Sequence, residues 1–177
     1  MFEVYLRDSY EFFLAGRASS KESKESEARR YYRASVFYAS GAIEAFINYI
    51  ADSFAKAGNI PRHEICFLND RALVFSVGKG LKEKIEYHKL NDKIRLLMGK
   101  FVPDFDFQCC AWSKFMDLKS FRDSLVHPRQ VEDEINLAVY DEKLRTGLQA
   151  IIEIMNHISS GMFGTPLRKQ LLDLIPE

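Results

Sequence analysis

From Glu27 to Ala57 the chain places Tyr32, Val36, Ala39, Ile43, Phe46, Ile47, Ile50 and Phe54 at three- and four-residue steps, with no proline among them. That spacing keeps one face of an α-helix apolar for about eight turns, and a strand, with its period of two, has no use for it. So long a stripe must be covered along its length by other elements, and the cheapest cover is more helices. Gly58-Asn59 and Pro61 supply the stop.

The other periodic segments fit that demand. Phe2, Leu6, Tyr10, Phe13 and Leu14 repeat with helical spacing up to Gly16, after which the Ser19–Ser26 run of small and charged residues reads as a loop or frayed link. Pro61 to Gly80 is the least regular stretch: Pro61 suits a helix start, and Leu73-Val74-Phe75-Ser76-Val77 fits either a short strand or a buried helical turn, helix being favoured. Lys82–Lys100 is expected to be helical, with a possible break near His88. The next helix is expected to open near Asp106 and to stop at His127, because the residue before Pro128 is pushed out of the α region. Asp141–Ser160 presents Leu144, Leu148, Ile151, Ile152, Met155 and Ile158 on one face. The expectation is an all-α fold, an antiparallel bundle of four to five main helices in one domain spanning residues 1–177, with marginal β structure.

The 25 basic and 25 acidic side chains cancel, so no global field draws in nucleic acid and local patches matter instead. Lys79–Lys100 holds seven Lys or Arg against three acids, and Arg129–Lys143 two against five. Solvated helix faces account for both; a phosphate-binding groove is the other reading of the basic one. The start Phe2-Glu3-Val4-Tyr5-Leu6-Arg7-Asp8 lacks the basic opening and apolar run of a signal peptide, and no stretch suits a membrane span, so a cytoplasmic protein with reduced thiols is expected. Cys109 and Cys110 read as small core residues. His63-x2-Cys66 has ligand-like spacing without a second pair, so neither a metal nor another cofactor is expected. No phosphate-loop glycines, Gly-x-Ser-x-Gly elbow or His-Glu-x-x-His string occurs, which disfavours P-loop nucleotide hydrolases, serine hydrolases and zincin proteases.

One residue breaks the apolar pattern. With Leu118 as origin, 100° steps place Arg122 at about +40°, between Ala111 and Phe115, where a bundle would prefer Leu. A guanidinium there needs a partner, a route to solvent or a ligand, since leaving it buried and unpaired is strongly unfavourable. Glu44, at the edge of the long helix's stripe, is a candidate partner, with Asn48 one turn on.

Arg122 opens the string Arg122-Asp123-Ser124-Leu125-Val126-His127, an Arg and a His separated by four residues at the end of a helix. The string, together with Ala42-Ile43-Glu44-Ala45-Phe46-Ile47-Asn48 on the long helix and the order of helices, resembles the HEPN family. The likeness covers most of the chain as helix order and about six residues as motif. It implies a homodimer whose two motifs meet at the two-fold axis and, in active members, metal-independent RNA cleavage, with an antitoxin or nucleotidyltransferase as a possible partner. In that chemistry the 2′-hydroxyl is the nucleophile. His127 would move a proton and Arg122 would hold the phosphate, with Asp123 beside it where the family often has Asn. A catalytically silent module that binds a nucleotide, RNA or protein shares the same residues. Arg29-Arg30-Tyr31-Tyr32-Arg33 interleaves cations with aromatics, as a weak RNA-contacting strip or as core tyrosines flanked by solvated arginines.

Overall fold

The computed structural model describes residues 1–57, 60–127 and 135–176. The Gly58-Asn59 stop, Pro128 and the first part of the acidic Arg129–Lys143 segment lie outside the described residues. Along the chain run α1 (Phe2–Lys21), α2 (Glu25–Ala57), α3 (Arg62–Leu68), β1 (Arg71–Ser76), β2 (Gly80–Ile85), α4 (Leu90–Phe101), α5 (Cys110–Val126), α6 (Leu137–Phe163) and α7 (Lys169–Leu172). Among the described residues the fold is mostly helical, with one small two-stranded sheet. Among the described residues no helix is long and apolar enough to cross a membrane.

Every residue of the α2 stripe is buried, and so are the six apolar residues expected on one face of α6. The two helices share one hydrophobic cluster with Leu6 and Phe13 of α1, Ile94 and Leu97 of α4, and Phe115 and Leu118 of α5. Helix α1 lies antiparallel on α2: Ser9 Oγ donates to the Ser35 carbonyl at 2.8 Å and Phe2 meets the Phe46 ring. Between α5 and α6, Phe121 packs edge-on against Tyr140, and the Lys143 ammonium lies 3.4 Å from Asp117.

Helix boundaries and one burial assignment depart from the sequence reading. Helix α1 does not stop at Gly16 but runs to Lys21, leaving Glu22–Lys24 as the turn, with Ser23 left-handed at φ 59°. Gly16 serves close packing rather than termination, since a Cβ there would come within 2.6 Å of the Tyr32 ring. Helix α5 begins at Cys110 rather than near Asp106, whose carboxylate accepts from the Gln108 amide and shapes the preceding turn. Cys110 is exposed and Cys109 only partly buried, so the pair is not core.

The largest correction falls at 71–85, where a β-hairpin replaces the expected helix. Gly78 and Gly80 take φ of +75° and +68°, a left-handed conformation that glycine adopts at little cost, and the Lys79 amide closes the turn on the Ser76 carbonyl at 3.0 Å. The register pairs Arg71 with Ile85, Leu73 with Glu83, Val74 with Lys82 and Phe75 with Leu81. Asp70 fastens the hairpin to the helices. Its carbonyl accepts from the Glu86 amide, while its carboxylate accepts from the His88 amide at 2.9 Å and pairs with the buried Lys93 at 2.8 Å.

Candidate functional site

Helix α5 is tightly buried through Ala111, Trp112, Phe115 and Leu118, then loosens over its last two turns. There Arg122 projects from the same arc as those four, yet its side chain retains 38% of its exposure, because a cavity of about 240 Å³ opens beside it. Ile43, Leu90, Phe115, Leu118 and Ile151 form the apolar walls. Ser40, Glu44, Lys89, Lys119, Arg122 and Asp123 supply the polar groups, three cations against two carboxylates. Helices α2, α5 and α6 and the start of α4 therefore all contribute to it. The N-cap residue of α4, Lys89, makes no side-chain cap, so the first backbone N–H groups of the helix lack that partner.

Arg122 does not pair with Glu44. Its Nη1 donates to Asp123 Oδ1 at 3.1 Å, and Lys119, one turn back, donates to the other carboxylate oxygen at 3.0 Å. Burial alone would raise the Asp123 carboxyl, but the hydrogen bonds from Lys119 and Arg122 outweigh it and hold the group below its ordinary range. Asp123 is thus an anion already claimed by two cations, which answers the repulsion it would offer a phosphate. Arg122 Nε is buried and has no hydrogen-bond partner among the described residues. A buried donor left unmade costs about 1–3 kcal/mol, more on a charged group, so this one is a reason for the cavity to take up an acceptor.

His127 stands at the C-cap of α5 with φ −122° and ψ 69°, outside the α region, and its side chain is exposed. It does not line the Arg122 cavity, so within one copy the two motif residues face different surroundings. Glu44 lines the cavity without an ion pair among the described residues, whereas Asn48 lines a separate groove against the ends of α1 and α6. The cations of the Arg29–Arg33 strip do not reach this site. Arg29 donates to the Ile135 carbonyl and lines a wide cleft by the α1–α2 turn, Arg30 is exposed and Arg33 partly buried. Tyr32 is core: it stacks on Tyr140, and its hydroxyl donates to Asp141 at 3.2 Å. His63 is exposed and Cys66 buried, and among the described residues no group of His, Cys, Asp or Glu could hold a metal ion.

Two cavity residues escaped the sequence reading. Lys119 was legible as an i,i+4 partner of Asp123. Lys89 was not, because only the hairpin and the start of α4 carry it to the cavity. Comparison of the chain with family models, characterised proteins and solved structures gives no match.

Proposed function

We propose that the protein is a HEPN-like, metal-independent endoribonuclease that acts as a two-fold dimer, with Arg122 binding the scissile phosphate and His127 of a second copy transferring the proton. The observation that carries this reading is the buried, unpartnered Arg122 Nε, on a cavity that also holds Lys89 and Lys119. At about 240 Å³ the space is below the usual range of about 300–1,000 Å³ for small-molecule sites, and suits a phosphate with part of its sugar. The Arg122 fork and the lysines would stabilise charge gathering on phosphorus, where removal of one good donor costs about 3–4 kcal/mol. RNA brings its own nucleophile, so the protein need only move protons, and exposed His127 is free to do so at an interface.

A second reading has its own support. His127 lies off the cavity, and Asp123 already occupies one arm of the Arg122 fork, both of which suit a silent module that binds phosphate without cutting. Purified protein incubated with single-stranded RNA in EDTA separates the two. The enzyme reading expects products ending in 2′,3′-cyclic phosphate and a fall of roughly 10²–10⁴-fold in His127→Ala, with thermal stability kept. Full cleavage by His127→Ala, after contaminating nucleases are excluded, rules that mechanism out.

A further inference from the structure

The seven cations of Lys79–Lys100 divide into two groups in the fold. Lys93 is buried against Asp70, Lys100 pairs with Glu64, and the Arg95 guanidinium lies over the Phe107 and Trp112 rings at 4.9 and 5.1 Å. These three belong to the body of the protein. Lys79, Lys82, Lys84 and Lys89 are exposed, and none has an ion-pair partner among the described residues. Of the three acids in the segment, Glu83 is held by Arg62 at 3.0 Å and Arg71 at 2.6 Å, leaving Glu86 and Asp92 against the four lysines.

The hairpin arranges these lysines. Residues paired across an antiparallel ladder share a face, so Lys82 opposite Val74 and Lys84 opposite Ala72 point the same way, about 7 Å apart along β2. Glu83 projects from the other face, with Phe75, Leu81 and Ile85. Lys79 sits at the tip. From the base of the hairpin the chain passes Tyr87, 86% exposed, and then Lys89, which lines the Arg122 cavity. A two-stranded ribbon with so little burial gains little by itself from projecting into water.

We infer that the Arg71–Ile85 hairpin is a binding arm for single-stranded RNA, which holds backbone phosphates with Lys79, Lys82 and Lys84 and leads the strand past Tyr87 and Lys89 to the Arg122 cavity. Charge complementarity and the continuity through Lys89 select this occupant, and Tyr87 offers a free ring for a base to stack on. The inference rests on the phosphate-binding reading of that cavity for the strand's destination, but not for the arm's own hold on the RNA.

Two probes keep the arm and the cavity apart: a 12-nucleotide oligouridine long enough to touch both, and uridine monophosphate, which is too short to span them and would reach the cavity through its phosphate. In Lys79→Ala/Lys82→Ala/Lys84→Ala, oligouridine affinity should drop at least tenfold at low salt, and the slope of log affinity against log salt should shrink by about 2, at ~0.7 for each phosphate no longer neutralised. Uridine monophosphate binding should not change. Lys21→Ala/Lys56→Ala/Lys169→Ala, which removes equal charge from exposed sites elsewhere, should retain most of the affinity. Equal losses in the two triple variants, or no oligouridine binding by the unmodified protein, would overturn the arm. So would loss of oligouridine binding on dissociation of a dimer by Phe75→Ser/Leu81→Ser while the lysine triple variant keeps it, which would make the hairpin an interface between copies rather than an RNA arm. If lysine-dependent oligouridine binding persists while uridine monophosphate fails to bind, the cavity reading falls and the arm stands.

Discussion

Two aspartates in this protein each hold a lysine and come to different ends. Asp70 and Asp123 each accept from a lysine, each is partly buried, and in each the pull of hydrogen bonds outweighs burial and lowers the carboxyl below its ordinary range. Around Asp70 every demand is met: one oxygen takes the His88 amide, the other takes Lys93, and the Lys93 side chain is only 6% exposed. Around Asp123 one demand stays open, because the cations that neutralise it stand at a cavity and one of them retains a buried N–H without an acceptor among the described residues. A satisfied cluster fixes two pieces of chain together; an unsatisfied one at a cavity is where a ligand has something to gain.

The difference can be measured directly. Lys93→Met should cost the most, about 2–4 kcal/mol, because it removes the buried partner of Asp70 and loosens the joint between hairpin and α4. In a chain of this size that corresponds to a fall in Tm of roughly 5–12 °C. Arg122→Met, of similar length, should change stability by less than about 1 kcal/mol in either direction, since it deletes a charge that the fold leaves incompletely satisfied. Chemical denaturation of both variants decides, and equal losses would show that Arg122 is as structural as Lys93.

Ligand protection is the next largest effect. Inorganic phosphate or uridine monophosphate at about ten times its Kd should raise stability by ~1.4 kcal/mol in the unmodified protein and by nothing in Arg122→Met. Protection that survives the substitution would place the anion elsewhere. Arg122→Lys sharpens the point: it keeps the charge but loses the two-pronged geometry, so it should fold normally and bind phosphate more weakly.

Acid should produce the smallest contrast. Because both carboxyls are lowered in the folded protein, their stabilisation is complete above the unfolded Asp value of about 3.9 and is lost as pH falls through the folded values. Asp70→Asn should therefore flatten part of the stability decline below about pH 4. Asp123→Asn should flatten it less, since its side chain is 45% exposed and solvent screens its partners. Equilibrium unfolding at several acidic pH values checks the order, and the reverse order would mean that the cavity cluster carries more of the fold than its geometry suggests.

Sequence alone determined the helices whose signal is local and repetitive. The stripes of α2 and α6 recur every three or four residues over many turns, and a periodic face that long has one stable use. The same reasoning failed at 71–85, where Lys82–Lys100 has helical spacing on paper, but two glycines two residues apart permit a hairpin and Asp70 anchors it. For the site, the sequence exposed Arg122 as a cation on an apolar arc and His127 as a residue forced out of the helix. It could not assign the partner of Arg122, because Glu44 and Asp123 are both plausible by position and only the packing of α2 against α5 leaves Glu44 beyond ion-pair reach. Nor could it foresee the cavity with Lys89 at its rim, which exists only because four segments distant in the chain converge at one point. Periodicity is a property of neighbours in sequence; satisfaction of a buried charge is a property of neighbours in space, and only the tertiary structure decides it.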